Sequence, residues 1–242
     1  MSEQDRRCAV VFGARNLGRA VIELLRERDW AVAGIARSEG TLAGVAALGA
    51  VALPGDVTDQ ASVRDVLEQA KDAYGRIDLV VNAAAAYGGD RSGPFGGGPI
   101  AQAVPEAFDS WAAAPARSAF SFLSATGAFL LEQGRPATVV QATGGSSRRA
   151  APGRGLWAAG AFGVRAVTQA AALELREHRI HVALLIIDAG IEPVGGAQPG
   201  QAIDALADPR ELASAVLFLA DQGVRGTTHE LQITPLAERW VP

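Results

Sequence analysis

The 242-residue sequence holds one lysine, Lys71, one cysteine, Cys8, two tyrosines, Tyr74 and Tyr87, and three histidines, His178, His181 and His229. Each scarcity removes a class of chemistry. A lone cysteine excludes an internal disulfide and any multi-cysteine metal centre, so no metal is expected and a reducing cytoplasm is the simplest location. Any step that needs a lysine has Lys71 alone to supply it. Basic charge is not in excess either: the net charge is −4, which argues against nucleic acid or an anionic membrane surface as a partner. Apolar runs such as residues 182–187 are far too short to span a bilayer. Residues 1–7 are polar and lead directly into a strand-like segment, so no signal peptide is expected.

What is present is a full complement of core residues, 49% apolar, in a length that suits one domain of residues 1–242. Short runs rich in Val, Ile, Leu and Ala at 8–12, 31–36, 51–54, 78–83, 138–142, 181–187 and 230–233 read as strands covered on both faces. Helical patterns lie between them at 17–27, 60–73, 108–132, 156–178 and 209–221, and Pro115 is expected to break or kink the third near its start. Thr58 or Asp59 is placed to cap the second, and Asp208, followed by Pro209, the last. Repeated strand–helix alternation implies an α/β fold, a doubly wound, seven-stranded parallel sheet flanked by helices. Two Gly/Pro-rich stretches interrupt it, 87–105 and 189–207; the first reads as surface loop or binding segment, the second as a substrate lid.

Between the first strand and first helix runs Gly13-Ala14-Arg15-Asn16-Leu17-Gly18, a glycine turn that would present helix N–H groups to a diphosphate. With Asp56-Val57 after the third strand, Asn82-Ala83-Ala84-Ala85 after the fourth, and Pro209-Arg210-Glu211-Leu212-Ala213 near the end, the chain resembles a short-chain dehydrogenase/reductase over nearly its full length. The resemblance implies a Rossmann fold and a nicotinamide dinucleotide. It places Asp56 on the adenine amino group, Val57 against the base, and Asn82, Ala83 and Ala84 beside the nicotinamide ribose. The turn is one residue shorter than the family's, with Asn16 near the middle glycine's place; asparagine tolerates positive φ better than most residues. The second strand ends without an acid to hold a ribose 2′-hydroxyl, and Arg37 with Arg15 would instead clamp a 2′-phosphate, favouring NADP(H) over NAD(H).

At the catalytic end the resemblance breaks. Trp157 stands where the family has its tyrosine, Ala161 where it has lysine, Gly144 where it has serine, and Ser118 where it has asparagine. No Tyr-x-x-x-Lys pair exists anywhere in the sequence, and an indole N–H is no acid near neutral pH. Ser146, Arg148, Arg149 and Arg154 follow the fifth strand and would gather around an anionic group such as a carboxylate or phosphate. Trp157 would stack on a flat ligand or fill the core, and Asp188, after the sixth strand, is a candidate proton source.

Three functions remain in competition: an NADP(H)-dependent oxidoreductase with an altered proton donor, a dinucleotide-binding sensor or partner subunit without turnover, and a non-redox lyase, isomerase or cyclase. In the family the helices corresponding to 108–132 and 156–178 pair into a four-helix contact, so a homodimer or homotetramer is expected.

Overall fold

The computed structural model describes residues 6–85, 93–198, 200 and 202–238. Seven parallel strands, β1 (Cys8–Phe12), β2 (Ala31–Ala36), β3 (Val51–Pro54), β4 (Leu79–Asn82), β5 (Ala137–Gly144), β6 (Ile180–Ile187) and β9 (Glu230–Ile233), form one sheet in the order β3-β2-β1-β4-β5-β6-β9. A separate parallel pair, β7 (Gly190–Ile191) with β8 (Leu206–Ala207), lies between β6 and the last helix. It gives the expected lid segment a short scaffold of its own. The main sheet is the single-domain, doubly wound arrangement that the alternation of elements implies.

Burial on both faces follows from the strand sequences. In β1, Cys8, Val10 and Phe12 pack with Val63 and Val66 of α3 (Gln60–Tyr74) and with Phe122 and Leu130 of α5 (Ala114–Gln133). Ala9 and Val11 point the other way, onto Val21 and Ile22 of α1 (Asn16–Glu27) and toward Leu212 and Val216 of α7 (Pro209–Ala220). This alternation is the period of two expected for a strand sandwiched between helix layers. α6 (Gly155–Leu175) lies against α5 and covers β6 through Val164, which packs with Leu184 and Ile186.

Helix ends follow their caps. Asp59 accepts a hydrogen bond from the Ala61 N–H at 3.0 Å, and Asp208 accepts one from the Arg210 N–H at 2.7 Å, with Pro209 opening α7. Thr58 caps nothing; its hydroxyl donates to Asp56. Pro115 does not break its helix. The chain runs helically from α4 (Pro105–Phe108) through a π turn at Asp109–Ala113 into α5, with αR backbone at the junctions. Bonding to the fifth preceding residue widens the turn just ahead of the proline, and the ring is accommodated in the first turn of α5. α2 (Glu39–Ala47) was not signalled by its sequence: it is short, rich in Gly and Ala, and buries only Val45.

Candidate functional site

The carboxyl ends of β1, β4, β5 and β6 open into one crevice where the strand order reverses between β1 and β4, the position at which open α/β sheets bind ligands. Two cavities, about 460 and 360 Å³, make up this crevice and share Asn16, Leu17, Ala83, Ala84, Ala85 and Ile191 on their walls.

The larger cavity is walled by Gly13, Arg15, Asn16, Leu17, Arg37, Asp56, Val57, Ala83 and Ala84 among others. Gly13 makes the turn with φ of +82°, and a β-carbon there would sit 2.5 Å from the Ala84 nitrogen, so only glycine fits. Its N–H and that of Ala14 both donate to the Ile35 carbonyl, at 3.0 and 3.3 Å, which pins the turn to β2. Asn16 does not use positive φ; it opens α1, and Arg15 before it carries the irregular backbone instead, at φ −99° and ψ −116°. Gly18 is buried beneath the turn and lies on neither cavity wall. No side chain caps α1 and no acid lies in its first turn, so the leading N–H groups and the positive end of the helix dipole are left to a ligand. These are fitting features for a diphosphate.

Asp56 accepts from the Thr58 N–H and hydroxyl at 2.9 and 2.8 Å, and its other oxygen lies 3.6 Å from the Arg37 guanidinium. Desolvation works to raise its pKa, but the two Thr58 bonds and the Arg37 charge outweigh it, and the carboxyl titrates below its ordinary value. Arg37 is 74% exposed at the cavity edge, and Arg15 is exposed as well.

The second cavity contains the four positions that align with the family's catalytic groups: Ser118 on α5, Gly144 at the end of β5, and Trp157 and Ala161 on α6. Asn82 and Gln141, neighbours on β4 and β5, are buried beneath it. The Asn82 amide donates to the Gln141 side-chain oxygen at 2.9 Å, and the Asn82 oxygen accepts from the Ala84 N–H at 3.1 Å. Gln141 and Thr143, two residues apart on one strand face, both reach the wall. Sequence reasoning passed over them; the alternation along β5 was the available signal.

Trp157 is held in an aromatic cluster, with ring centroids 5.2 Å from Phe95 and 5.9 Å from Trp111, while Phe95 and Trp111 meet edge-on at 4.9 Å. It therefore both packs and faces the cavity. One turn further along α6, a β-carbon on Gly160 would lie 2.5 Å from the Trp111 carbonyl oxygen, so the π turn and α6 meet backbone to backbone.

The expected arginine-lined anion site is not what the fold builds. Ser146, Arg148, Arg154 and Asp188 all lie off the cavity wall. Arg148 pairs with Glu230 at 3.1 Å, and Glu230 also receives a bidentate Arg165 at 2.7 and 2.9 Å and the Gln169 amide at 2.7 Å. Burial would raise the Glu230 pKa, but the Arg165 and Gln169 bonds and both arginine charges hold it below its usual value. Arg149 pairs with the buried Asp188 at 2.5 Å, which removes Asp188 from the proton-donor role considered for it. Arg154 stands over the Phe95 ring, 5.3 Å from its centroid. Among the described residues no cluster of three His, Cys, Asp or Glu is placed to hold a metal. Tyr87 lies outside the described residues. Tyr74, on α3, donates to the Val32 carbonyl at 3.1 Å, far along β2 from the crevice.

The family model described as short chain dehydrogenase matches residues 7–190. The chain belongs to the short-chain dehydrogenase family. It is 30% identical over 182 residues to sorbitol dehydrogenase of Cereibacter sphaeroides, which covers 74% of this chain and 68% of that protein. Against other curated relatives, such as the bovine 3-oxoacyl-[acyl-carrier-protein] reductase at 39% identity over 83 residues, it spans only about a third of their length, 35%. The fold is shared with an alcohol dehydrogenase from Thermococcus sibiricus complexed with 5-hydroxy-NADP (TM-score 0.77, 22% identity, 98% of this chain and 100% of that one). It is also shared with a short-chain oxidoreductase from Pseudomonas aeruginosa PAO1 described as containing an atypical catalytic center (TM-score 0.78, 24% identity, 97% and 98% covered). Among the described residues on the crevice walls there is neither tyrosine nor lysine. No helix among the described residues is long and apolar enough to cross a membrane.

Proposed function

We propose that the protein is an NADP(H)-binding oxidoreductase with an altered proton donor. The observation that carries this reading is the continuity of the crevice: the cavity at the glycine turn and the cavity at Trp157 share one wall, Asn16, Leu17, Ala83–Ala85 and Ile191. A dinucleotide needs such a paired site, one half for its adenosine and one for its reacting ring. The first turn of α1 would hold the diphosphate, Asp56 and Val57 the adenine, and Arg37 with Arg15 a 2′-phosphate. Asn82, Ala83 and Ala84 would border the nicotinamide ribose. The complexed Thermococcus enzyme supports the same choice of cofactor.

When bound, a nicotinamide supplies or accepts a hydride. The chain's own part is orientation and exclusion of water. Trp157 walls the reacting end, while the Ser118 and Thr143 hydroxyls offer hydrogen bonds to a substrate oxygen. None of the described side chains on this wall is an acid or base near neutral pH, so the proton is exchanged with water. Ala189 and Ile191 reach the wall from the segment that β7 and β8 brace, which supports 189–207 as the lid.

A second reading, dinucleotide binding without turnover, is favoured by the loss at Ser118, Gly144, Trp157 and Ala161 of every group the family's chemistry uses. The Pseudomonas relative's atypical center supports a departure from the family's usual chemistry without choosing between the two. Titration with NADPH and NADH, read by tryptophan emission and energy transfer to the reduced ring, tests what both readings share. Binding of NADPH in preference to NADH is expected, and absence of dinucleotide binding would overturn both. A screen of acceptors for saturable NADPH oxidation then separates them.

The assembly is read from helix faces. α5 exposes Phe120, Ser124, Ala128 and Leu131, and α6 exposes Phe162, Ala166, Ala170 and Leu173, two stripes with the same spacing. Pairing of these stripes with a second copy would bury four large apolar side chains per subunit, consistent with a homodimer or homotetramer.

A further inference from the structure

Resting on the oxidoreductase reading above, we infer that the cavity beside Trp157 takes an uncharged, flat, largely apolar substrate with one hydrogen-bonding oxygen, and rejects carboxylates, phosphates and ammonium groups. The described wall holds no ionisable side chain: its polar members are Asn16, Asn82, Ser118, Gln141, Thr143 and the Trp157 indole. A charge brought here loses its water and meets no counter-charge among the described side chains of the wall, and burying an unpaired ion costs more than the apolar contacts return.

The neighbouring arginines do not alter this. Arg148 and Arg165 converge on Glu230, Arg149 on Asp188, and Arg154 lies over the Phe95 ring, 5.3 Å from its centroid and off the cavity wall. To reach a ligand anion, Arg148 or Arg149 would first abandon a carboxylate that is itself largely buried, 19% exposed for Glu230 and 8% for Asp188. The positions that carry serine and lysine in the family are here Gly144 and Ala161, so space replaces a hydroxyl at one and a charge at the other on the cavity wall.

Flatness follows from the aromatic cluster. Phe95 and Trp111 meet Trp157 at interplanar angles of 51° and 75° and brace the indole as a rigid wall, suited to a conjugated or aromatic ligand. The hydroxyls set the polar end. Ser118 is only 4% exposed and lies on the wall, and its hydroxyl makes no hydrogen bond to a described residue. A carbonyl or hydroxyl oxygen would satisfy it, and Thr143 of β5 provides a second donor on the same cavity wall.

The test is calorimetric titration of the whole free protein with NADP⁺ and, separately, with three probes of one shape: 2-acetylnaphthalene, 2-naphthoate and (2-naphthylmethyl)ammonium. The ketone is expected to bind at least about tenfold more tightly than either ion. Trp157→Leu should weaken the ketone about tenfold in the free protein. Arg148→Gln should leave the order of the three probes unchanged. The inference is overturned if either ion matches the ketone, if naphthoate binds and Arg148→Gln abolishes it, or if no probe binds. Failure of NADP⁺ to bind, read in the same experiment, would instead overturn the proposed function, since the preference among probes is measured in the free protein.

Discussion

Asp188 and Gly145 claim the same space: a β-carbon on Gly145 would lie 1.8 Å from the Asp188 carboxylate oxygen. The carboxylate is held there by Arg149 and by Gln232, whose amide donates at 3.3 Å. Gly145→Ala should therefore lower the melting temperature, costing about 1–3 kcal/mol through overpacking. Removing the obstruction in Gly145→Ala/Asp188→Gly should recover part of that loss. Thermal unfolding of both variants checks it, and equal destabilisation with no recovery would refute the steric account.

Cys8 is fully buried in β1, and its thiol is pushed up to about 12, chiefly by burial and further by the nearby negative charge of Asp78. A disulfide reagent at pH 8 should leave the native protein untouched and titrate one thiol in denaturant. Rapid labelling of the native protein would mean that β1 opens locally.

His181 is half-buried, and its Nε2 lies 3.0 Å from the Thr228 carbonyl oxygen. Burial, reinforced by His229 across a 6.2 Å ring separation, lowers its pKa below 6.5 despite the backbone hydrogen bond. Between the folded value and 6.5 the unfolded chain binds the additional proton. Stability is then complete above 6.5 and declines as pH falls below it. Asp56 and Glu230, carboxyls that are also lowered but from a far more acidic starting value, keep their contribution over this window and lose it only in stronger acid. Urea unfolding at pH 7.5 and 5.5 should show the decline, and His181→Gln should reduce it.

Arg37 stands exposed at the edge of the larger cavity with only a long, 3.6 Å pairing to Asp56. Arg37→Ala should weaken NADPH by about 1–3 kcal/mol and leave NADH nearly unchanged. Equal losses in parallel titrations would refute a role at the 2′-phosphate.

Phe162 is 43% exposed on the outer stripe of α6. Phe162→Glu should shift the protein from dimer or tetramer toward monomer without unfolding it. Light scattering on the wild type and the variant decides this; a wild-type monomer at micromolar concentration would end the proposal.

The main sheet was legible because parallel strands buried on both faces leave continuous apolar runs, and all seven lie within a few residues of where those runs place them. α2 left no such trace, since its one buried residue, Val45, makes no stripe. Pro115 misled because the rule against proline assumes bonding four residues back, and the π turn ahead of it does not follow that pattern. The crevice wall was legible through the glycine turn and the ends of β4 and β5. The arginine site was not. Arg148 and Glu230 are 82 positions apart, and nothing local marks a carboxylate that will arrive from the last strand.

The contact of Gly160 with the Trp111 carbonyl locks α6 to the π turn and so fixes the cavity wall that the helix supplies through Trp157, Ala161 and Val164. Where two helices touch through their main chains, no rotamer change can make room. Along a series of ligands lengthened one methylene at a time toward that wall, affinity should climb by a steady increment and then fall abruptly, instead of levelling off as it does in a pocket bounded by pliable side chains.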